Sequence, residues 1–461
     1  MHKFSTVQFP FPLHSIMIWH KGQILQEEYY APFERGMHHR MFSITKSYTS
    51  LAIGALIAEG QLQLSDRICT LFPEYTPADA HPYLTEMTIE DMLGMRTCHR
   101  STTYKLDSDS HWVRSFFATT PDHHPGRIFK YDTSSAHTLA ALVKKISGKG
   151  ILDYLRSVCL DRIGFSADAH VLTDPFGCEI GGSGLIATVD DLLNTAKLVL
   201  SLYRNTWEQD YPYLIGSADT VYNHAFWKRY ADYIHSALSY HSPTLHEGKT
   251  VDECRGYGWQ FWMLRNGGVM MYGMGGQYVV LYPDEELIFI TTADSQMIQG
   301  GSQMILDEIR NTALSIAPRL SGYGHTDKPA LNETLFGSWK SASDKSAFSF
   351  MSLTDSSLTL KAQDKEFVFP YSLTEDIKSR EKVYDQTVYT RAFPQPDGSL
   401  YLRIAILDDY VGSIHILINA AKDNATLYLR KIEESLYSEF NGFFELSRRS
   451  FPLNSRSPKT V

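Results

Sequence analysis

Hydrophobic positions along this chain follow helical and strand periods through the first two thirds and the strand period alone afterwards. Residues 15–30, SIMIWHKGQILQEEYY, hold two β-rich runs around Lys21-Gly22, the pattern of a hairpin. Residues 41–60, MFSITKSYTSLAIGALIAEG, have helical spacing, with Leu51, Ala52, Ala55, Leu56 and Ile57 inside and Gly60 placed as a left-handed C-cap. This helix is apolar on almost every side, so it is expected to be central and buried. Further helices are predicted at 88–95, 137–146, 188–202 and 303–315. Strands are predicted at 256–264, 277–282 and 287–292, the last two joined by a turn at Pro283-Asp284-Glu285-Glu286. The hairpin, the later strands and the last helix can build one antiparallel sheet with helices against it, an α+β arrangement.

Past Pro318 the helical period disappears. Short alternating runs recur (SFMSLT, LTLKAQ, EFVFPY, YLRIAIL, HILINA, ATLYLRKI), which predicts an all-β barrel or sandwich. Two domains are therefore expected, 1–318 and 325–461, and 461 residues accommodate them.

Composition narrows the function classes. With 24 Phe, 27 Tyr and 7 Trp the chain has enough apolar bulk for full cores, which excludes disorder over most of its length. A formal charge of -9 offers no electrostatic reason to expect a nucleic-acid partner. Five scattered cysteines without a CxxC pair fit neither a disulfide framework nor a zinc ribbon and suit a reducing compartment. No apolar run reaches membrane-spanning length, and the N-terminus lacks the pattern of an export signal, so no membrane partner and a cytoplasmic location are expected. His38-His39 and His123-His124 read as surface or loop histidines, and no metal or organic cofactor is implied. The pattern leaves the oligomeric state open.

Candidate chemistry centres on Ser43-Ile44-Thr45-Lys46. A serine hydroxyl attacks poorly until something takes its proton. At i and i+3 on a helix the two side chains share a face, so the Lys46 amine can reach Ser43 Oγ. Burial and the positive end of the helix dipole both disfavour a protonated Lys46, and a neutral amine is a proton acceptor. An isolated SxxK is common by chance; this one lies on a helix expected to be buried.

Several stretches together resemble the serine β-lactamase and penicillin-recognising hydrolase superfamily, in particular its esterase and 6-aminohexanoate-dimer-hydrolase-like branches. They are HRMFSITKSYTSLAIGALIAEGQLQLSD, PGRIFKYDTSSAHTLAALVKKISG, GGSGLIATVDDL, GYGWQFWM and YGMGGQYVVLYPDEELIFI, covering roughly residues 15–315 in the family's order. The resemblance implies an antiparallel sheet with flanking helices, a helical lobe and a site between them, and a lipocalin-like C-terminal appendage. It assigns the nucleophile to Ser43, its proton acceptor to Lys46 and a proton shuttle to Tyr131. Thr133 falls where the family has an asparagine that holds substrate. The third motif falls on Met271-Tyr272-Gly273, where the usual cation is missing. Met274 would offer a backbone N–H to the oxyanion beside that of Ser43. Gly273 and Gly275 would let substrate lie close, and Tyr104 and Trp112 would border the acyl pocket. The expectation is a serine hydrolase working through an acyl-enzyme on small esters, amides or short or D-amino-acid peptides, with no cofactor. A peptide-cyclising thioesterase or transacylase, and a ligand-binding pseudoenzyme, remain as alternatives.

Overall fold

In the computed structural model, six antiparallel strands form one sheet in the order Gln23–Tyr29, Leu13–His20, Leu287–Ala293, Gln277–Tyr282, Val269–Gly273, Trp262–Met263. Residues 3–4, 9–106, 111–322, 329, 331–341, 343, 346–407, 411–432 and 436–448 are described. Strand register places Met17, Ile290, Val279 and Met271 in one row and Ile18, Phe289, Val280 and Met270 in the next. Side chains of successive residues point to opposite faces, so the two rows enter different cores. The first joins the core around the Ile44–Glu59 helix, and the second meets Ile305, Leu306 and Ile309 of the Gly301–Ile316 helix. With both faces covered, these strands are nearly continuous in apolar residues rather than alternating.

Every residue from Ile44 to Leu56 is buried, as the all-round apolar pattern predicts. Its polar side chains find partners inside: Ser47 Oγ donates to the Gln260 carbonyl at 2.7 Å and Thr49 Oγ1 to the Gly181 carbonyl at 2.8 Å. Gly60 closes the helix with φ 80.

Three elements depart from the sequence expectation. Of the 256–264 run only Trp262–Met263 joins the sheet, because Gly256 (φ 126) and Gln260 (φ 67) interrupt the extended backbone. The helix expected at 137–146 starts already at Thr133, where the Asp132 side chain accepts the Ser134 N–H and caps it. His224–Ala237 is a helix that the apolar spacing did not announce; it packs on the central helix, with Tyr230 OH donating to the Leu51 carbonyl at 3.1 Å.

Two compact units are present, residues 1–121 with 129–326 and residues 122–128 with 327–461. The second is a ten-stranded antiparallel sheet whose end strands, Lys365–Pro370 and Ile377–Glu381, approach each other to give a nearly closed barrel. Alternate residues of its strands, as in Gln386–Pro394, point into an apolar interior that includes Trp339, Met351, Phe367 and Ile404. Four strands had escaped the sequence reading: Gly337–Ser341, Ile377–Glu381, Gln386–Pro394 and Gly442–Ser447. Several of their inward positions are polar (Glu381, Gln386, Thr390 and Ser447 are buried), which dilutes the apolar alternation. The 122–128 segment, read as part of the first domain, belongs to the barrel unit. There His123 stacks on Phe443 at 3.8 Å between ring centroids, and Ile128 packs with Tyr401, Leu417 and Tyr428. His123, read as a surface or loop histidine, does lie in a loop but is fully buried rather than at the surface. The expected domain start at 325 and the chain end at 461 lie outside the described residues. Among those described, no helix is long and apolar enough to cross a membrane.

Candidate active site

Ser43 stands at the start of the central helix, just after Phe42, whose φ of 47 turns the chain sharply. Its hydroxyl makes no capping bond, so it is not committed to the helix end. One turn on, Lys46 is 1% exposed, and Nζ lies 3.0 Å from Ser43 Oγ and 2.7 Å from the Gly182 carbonyl oxygen. Neither partner is a carboxylate, and burial lowers the Lys46 pKa to about 7; Asp132 opposes that shift and Lys105 assists it. Desolvation thus dominates, as expected in the absence of the third-motif cation, while Lys105 adds a smaller contribution that the sequence did not reveal.

Tyr131 joins the pair. Its ring centroid is 4.9 Å from Lys46 Nζ, and the Ser43 side chain acts on its hydroxyl, lowering the phenol pKa against burial. Burial raises the phenol above its usual range, partly offset by the Ser43 contact, so it carries its proton at neutral pH. Trp262 stacks against the ring at 5.6 Å and Tyr257 meets it edge-on at 6.4 Å, which holds the phenol in place.

The supporting backbone comes from two short pieces. His39–Arg40 pairs with Leu185–Ala187, and Thr45 Oγ1 accepts the Leu185 N–H at 2.9 Å. That pairing brings the Gly181-Gly182 backbone against Lys46. Gly182 itself escaped the sequence reading; the glycine pair ahead of a strand was its only signal. On the other side the Val269–Gly273 strand carries Met271-Tyr272-Gly273, without a cation. A Cβ on Gly273 would lie 2.2 Å from the Met41 carbonyl oxygen, so only glycine lets this strand end pass so close to the turn before Ser43. Met274, expected to offer its backbone N–H from beside the third motif, is the first residue of the turn after the strand and is 47% exposed. Gly275 supplies the positive φ of 91 which that turn requires. Among the described residues, no backbone acceptor takes the N–H of Ser43 or of Met274.

Thr133 is half-buried at the first turn of its helix, and its N–H donates to Thr102 Oγ1 at 3.1 Å. Tyr104 and Trp112 stack on each other at 4.2 Å and both present edges to His137. Their described ring contacts are with each other and with His137, not with Ser43, Lys46 or Tyr131.

One group among the described residues has metal-ligand chemistry: His137, Asp174 and Cys178, with ligand atoms within 4.8 Å of one another. Hydrogen bonds account for part of it, while His137 Nδ1 is buried without a partner. His137 Nε2 is 3.0 Å from Asp174 Oδ2, and Asp174 Oδ1 accepts the N–H groups of Phe176 and Cys178. Burial pushes the Cys178 thiol up to about 12, so without an ion it stays protonated.

Residues 11–297 match the family model for Beta-lactamase. A 6-aminohexanoate-dimer hydrolase of Paenarthrobacter ureafaciens is 21% identical over 201 residues, 40% of this chain and 51% of the relative, so the chain spans about half the length of the curated relative it matches. Among solved structures, a putative 6-aminohexanoate-dimer hydrolase from Bacillus anthracis superposes with a TM-score of 0.51 at 17% identity, over 66% of this chain and 80% of that one. An octameric penicillin-binding protein homologue from Pyrococcus abyssi gives 0.49 at 15%, over 95% and 96%.

Proposed function

The chain belongs to the Beta-lactamase family of serine hydrolases, and from that premise we propose that it cleaves small esters or amides through an acyl-enzyme on Ser43. The observation that carries this reading is a fully buried Lys46 amine 3.0 Å from Ser43 Oγ. With the Lys46 pKa lowered to about 7, roughly half of the amine is neutral at pH 7. An unperturbed lysine would be neutral in only about three molecules in ten thousand.

In the proposed sequence Ser43 Oγ attacks the carbonyl carbon while its proton passes to Lys46, with the Tyr131 hydroxyl relaying. The N–H groups of Ser43 and Met274 receive the developing oxyanion; one such donor is worth about 10²–10³ in rate. Tyr131 then protonates the departing alcohol or amine, and water releases the acyl group. Short or D-amino-acid peptides fit the amide class. The missing cation at Met271 removes the group that would hold a substrate carboxylate, which argues against β-lactams and D-Ala-D-Ala peptides.

Intact-mass analysis after treatment with a fluorophosphonate probe tests the nucleophile. One adduct is expected on the wild type and none on Ser43→Ala; an adduct that survives this change sinks the assignment. A panel of chromogenic esters, amides and D-amino-acid derivatives then defines the substrate, and added amines show whether water or an amine takes the acyl group.

A further inference from the structure

His137, Asp174 and Cys178 take no part in the proposed reaction, yet their ligand atoms lie within 4.8 Å of one another and all three residues are buried. His137 sits one turn past Thr133 on the Thr133–Ser147 helix. Asp174 and Cys178 come from a loop whose ends, Thr173 and Glu179, are bridged to each other. The Asp174 N–H donates to the Cys178 carbonyl at 2.7 Å, and Asp174 Oδ1 accepts the N–H groups of Phe176 and Cys178 at 2.9 and 2.8 Å. Oδ1 is thus committed to the loop, and Oδ2 is left facing His137 Nε2 at 3.0 Å. Just past the loop, Gly181 runs so close to the helix that a Cβ there would lie 2.2 Å from Ala140 Cβ. Loop and helix therefore hold the three groups together by their own contacts, as a preformed ion site requires. Hydrogen bonding uses these groups poorly: Cys178 Sγ has the Glu179 carbonyl at 3.7 Å as acceptor, and His137 Nδ1 is buried with no partner.

We propose that His137, Asp174 and Cys178 form a zinc site, with Nε2, Oδ2 and Sγ as ligands. Imidazole nitrogen, thiolate sulfur and one carboxylate oxygen are the donor types Zn²⁺ takes, whereas Mg²⁺ and Ca²⁺ favour sets of oxygens. The 3.0 Å between Nε2 and Oδ2 is near the roughly 3.3 Å that separates two ligand atoms at about 2.0 Å from a tetrahedral ion. Binding is proton exchange without redox change. Zn²⁺ takes lone pairs of Sγ, Nε2 and Oδ2, the Cys178 proton passes to solvent, and the neutral imidazole keeps its single proton on Nδ1. A coordinated thiol gives up its proton outright, however weak an acid it is without the ion. Water fills the fourth position, because Cys178 borders a cavity of about 290 Å³ that it shares with Glu74, His111 and Phe176. The ion's role is structural. It joins the chain leading to Gly182, whose carbonyl holds Lys46 Nζ, to the helix that begins after Tyr131. The inference does not rest on the hydrolase reading.

The test reads the ion directly. The full chain, freed of metal with a chelator under reducing conditions, is titrated with Co²⁺ and then with Zn²⁺. One equivalent of Co²⁺ is expected to bind, with a thiolate-to-cobalt charge-transfer band in the near ultraviolet and the intense visible bands of four-coordinate cobalt. Zn²⁺ is expected to displace it. Cys178→Ser is expected to abolish the charge-transfer band, and His137→Gln to weaken binding by about 100-fold or more. Cys254→Ser, which removes the least buried of the five thiols, is expected to change neither. In the wild type, Zn²⁺ is also expected to slow alkylation of Cys178 but not of Cys254, read by peptide mass spectrometry; this measurement decides even where a variant fails to fold. No sulfur band in the wild type, a band that survives Cys178→Ser, a band lost in Cys254→Ser, or equal alkylation of Cys178 with and without Zn²⁺ overturns the proposal.

Discussion

A lysine buried without a carboxylate partner weakens the fold, and at Lys46 that cost and the proposed role as proton acceptor are both measurable. Its pKa is about 7 in the folded chain against an ordinary 10.5. The unfolded chain therefore binds more protons between those values, so stability rises with pH across that window. The burden of the buried amine is complete below about pH 7 and absent above the ordinary lysine range. Lys46→Met, similar in length and apolar, is expected to raise the denaturant midpoint at neutral pH, with the gain vanishing as the pH approaches 10.5; urea titrations at several pH values check this. The same variant is expected to lose about 10²–10⁴ in Ser43 acylation rate, the usual range for removing a general base. In the wild type, acylation should climb through about pH 7 as Lys46 loses its proton. Tyr131→Phe keeps the ring packing against Trp262 but removes the relay, so its loss should appear in rate and not in thermal stability.

At the scale of elements, the site depends on how closely two backbones approach. The end of the Val269–Gly273 strand runs against the turn before Ser43, and Gly273→Ala would place a Cβ 2.2 Å from the Met41 carbonyl oxygen. The obstacle is backbone, which cannot swing aside as a side chain can. Gly273→Ala is therefore expected to shift the Met274 N–H away from the oxyanion position, cutting acylation by about the 10²–10³ of one lost donor. Stability should fall by about 1–3 kcal/mol, the usual range for overpacking. Comparing the labelling rate with the urea midpoint separates the two losses.

For the whole molecule, each unit has its own apolar core, so a core change in one is read locally. Trp339 is fully buried in the barrel, and Trp339→Ala is expected to cost about 3–5 kcal/mol there. Hydrogen-exchange mass spectrometry checks this through faster exchange in the strands from Gly337 to Ser447. Much of this architecture was legible in one dimension. Apolar spacing with a closing glycine determined the Ile44–Glu59 helix and its burial, and nearly continuous apolar runs determined the strands at Gln277–Tyr282 and Leu287–Ala293. The i, i+3 spacing of Ser43 and Lys46 determined their shared face, because helical geometry is local. Only the fold decided that the Gly182 carbonyl meets Lys46 from 136 positions away, that Met274 stands in a turn, and that residues 122–128 join the barrel. Local pattern records which face of an element is apolar. Partners far apart in sequence are chosen by the packing of whole elements, and no periodicity encodes that choice.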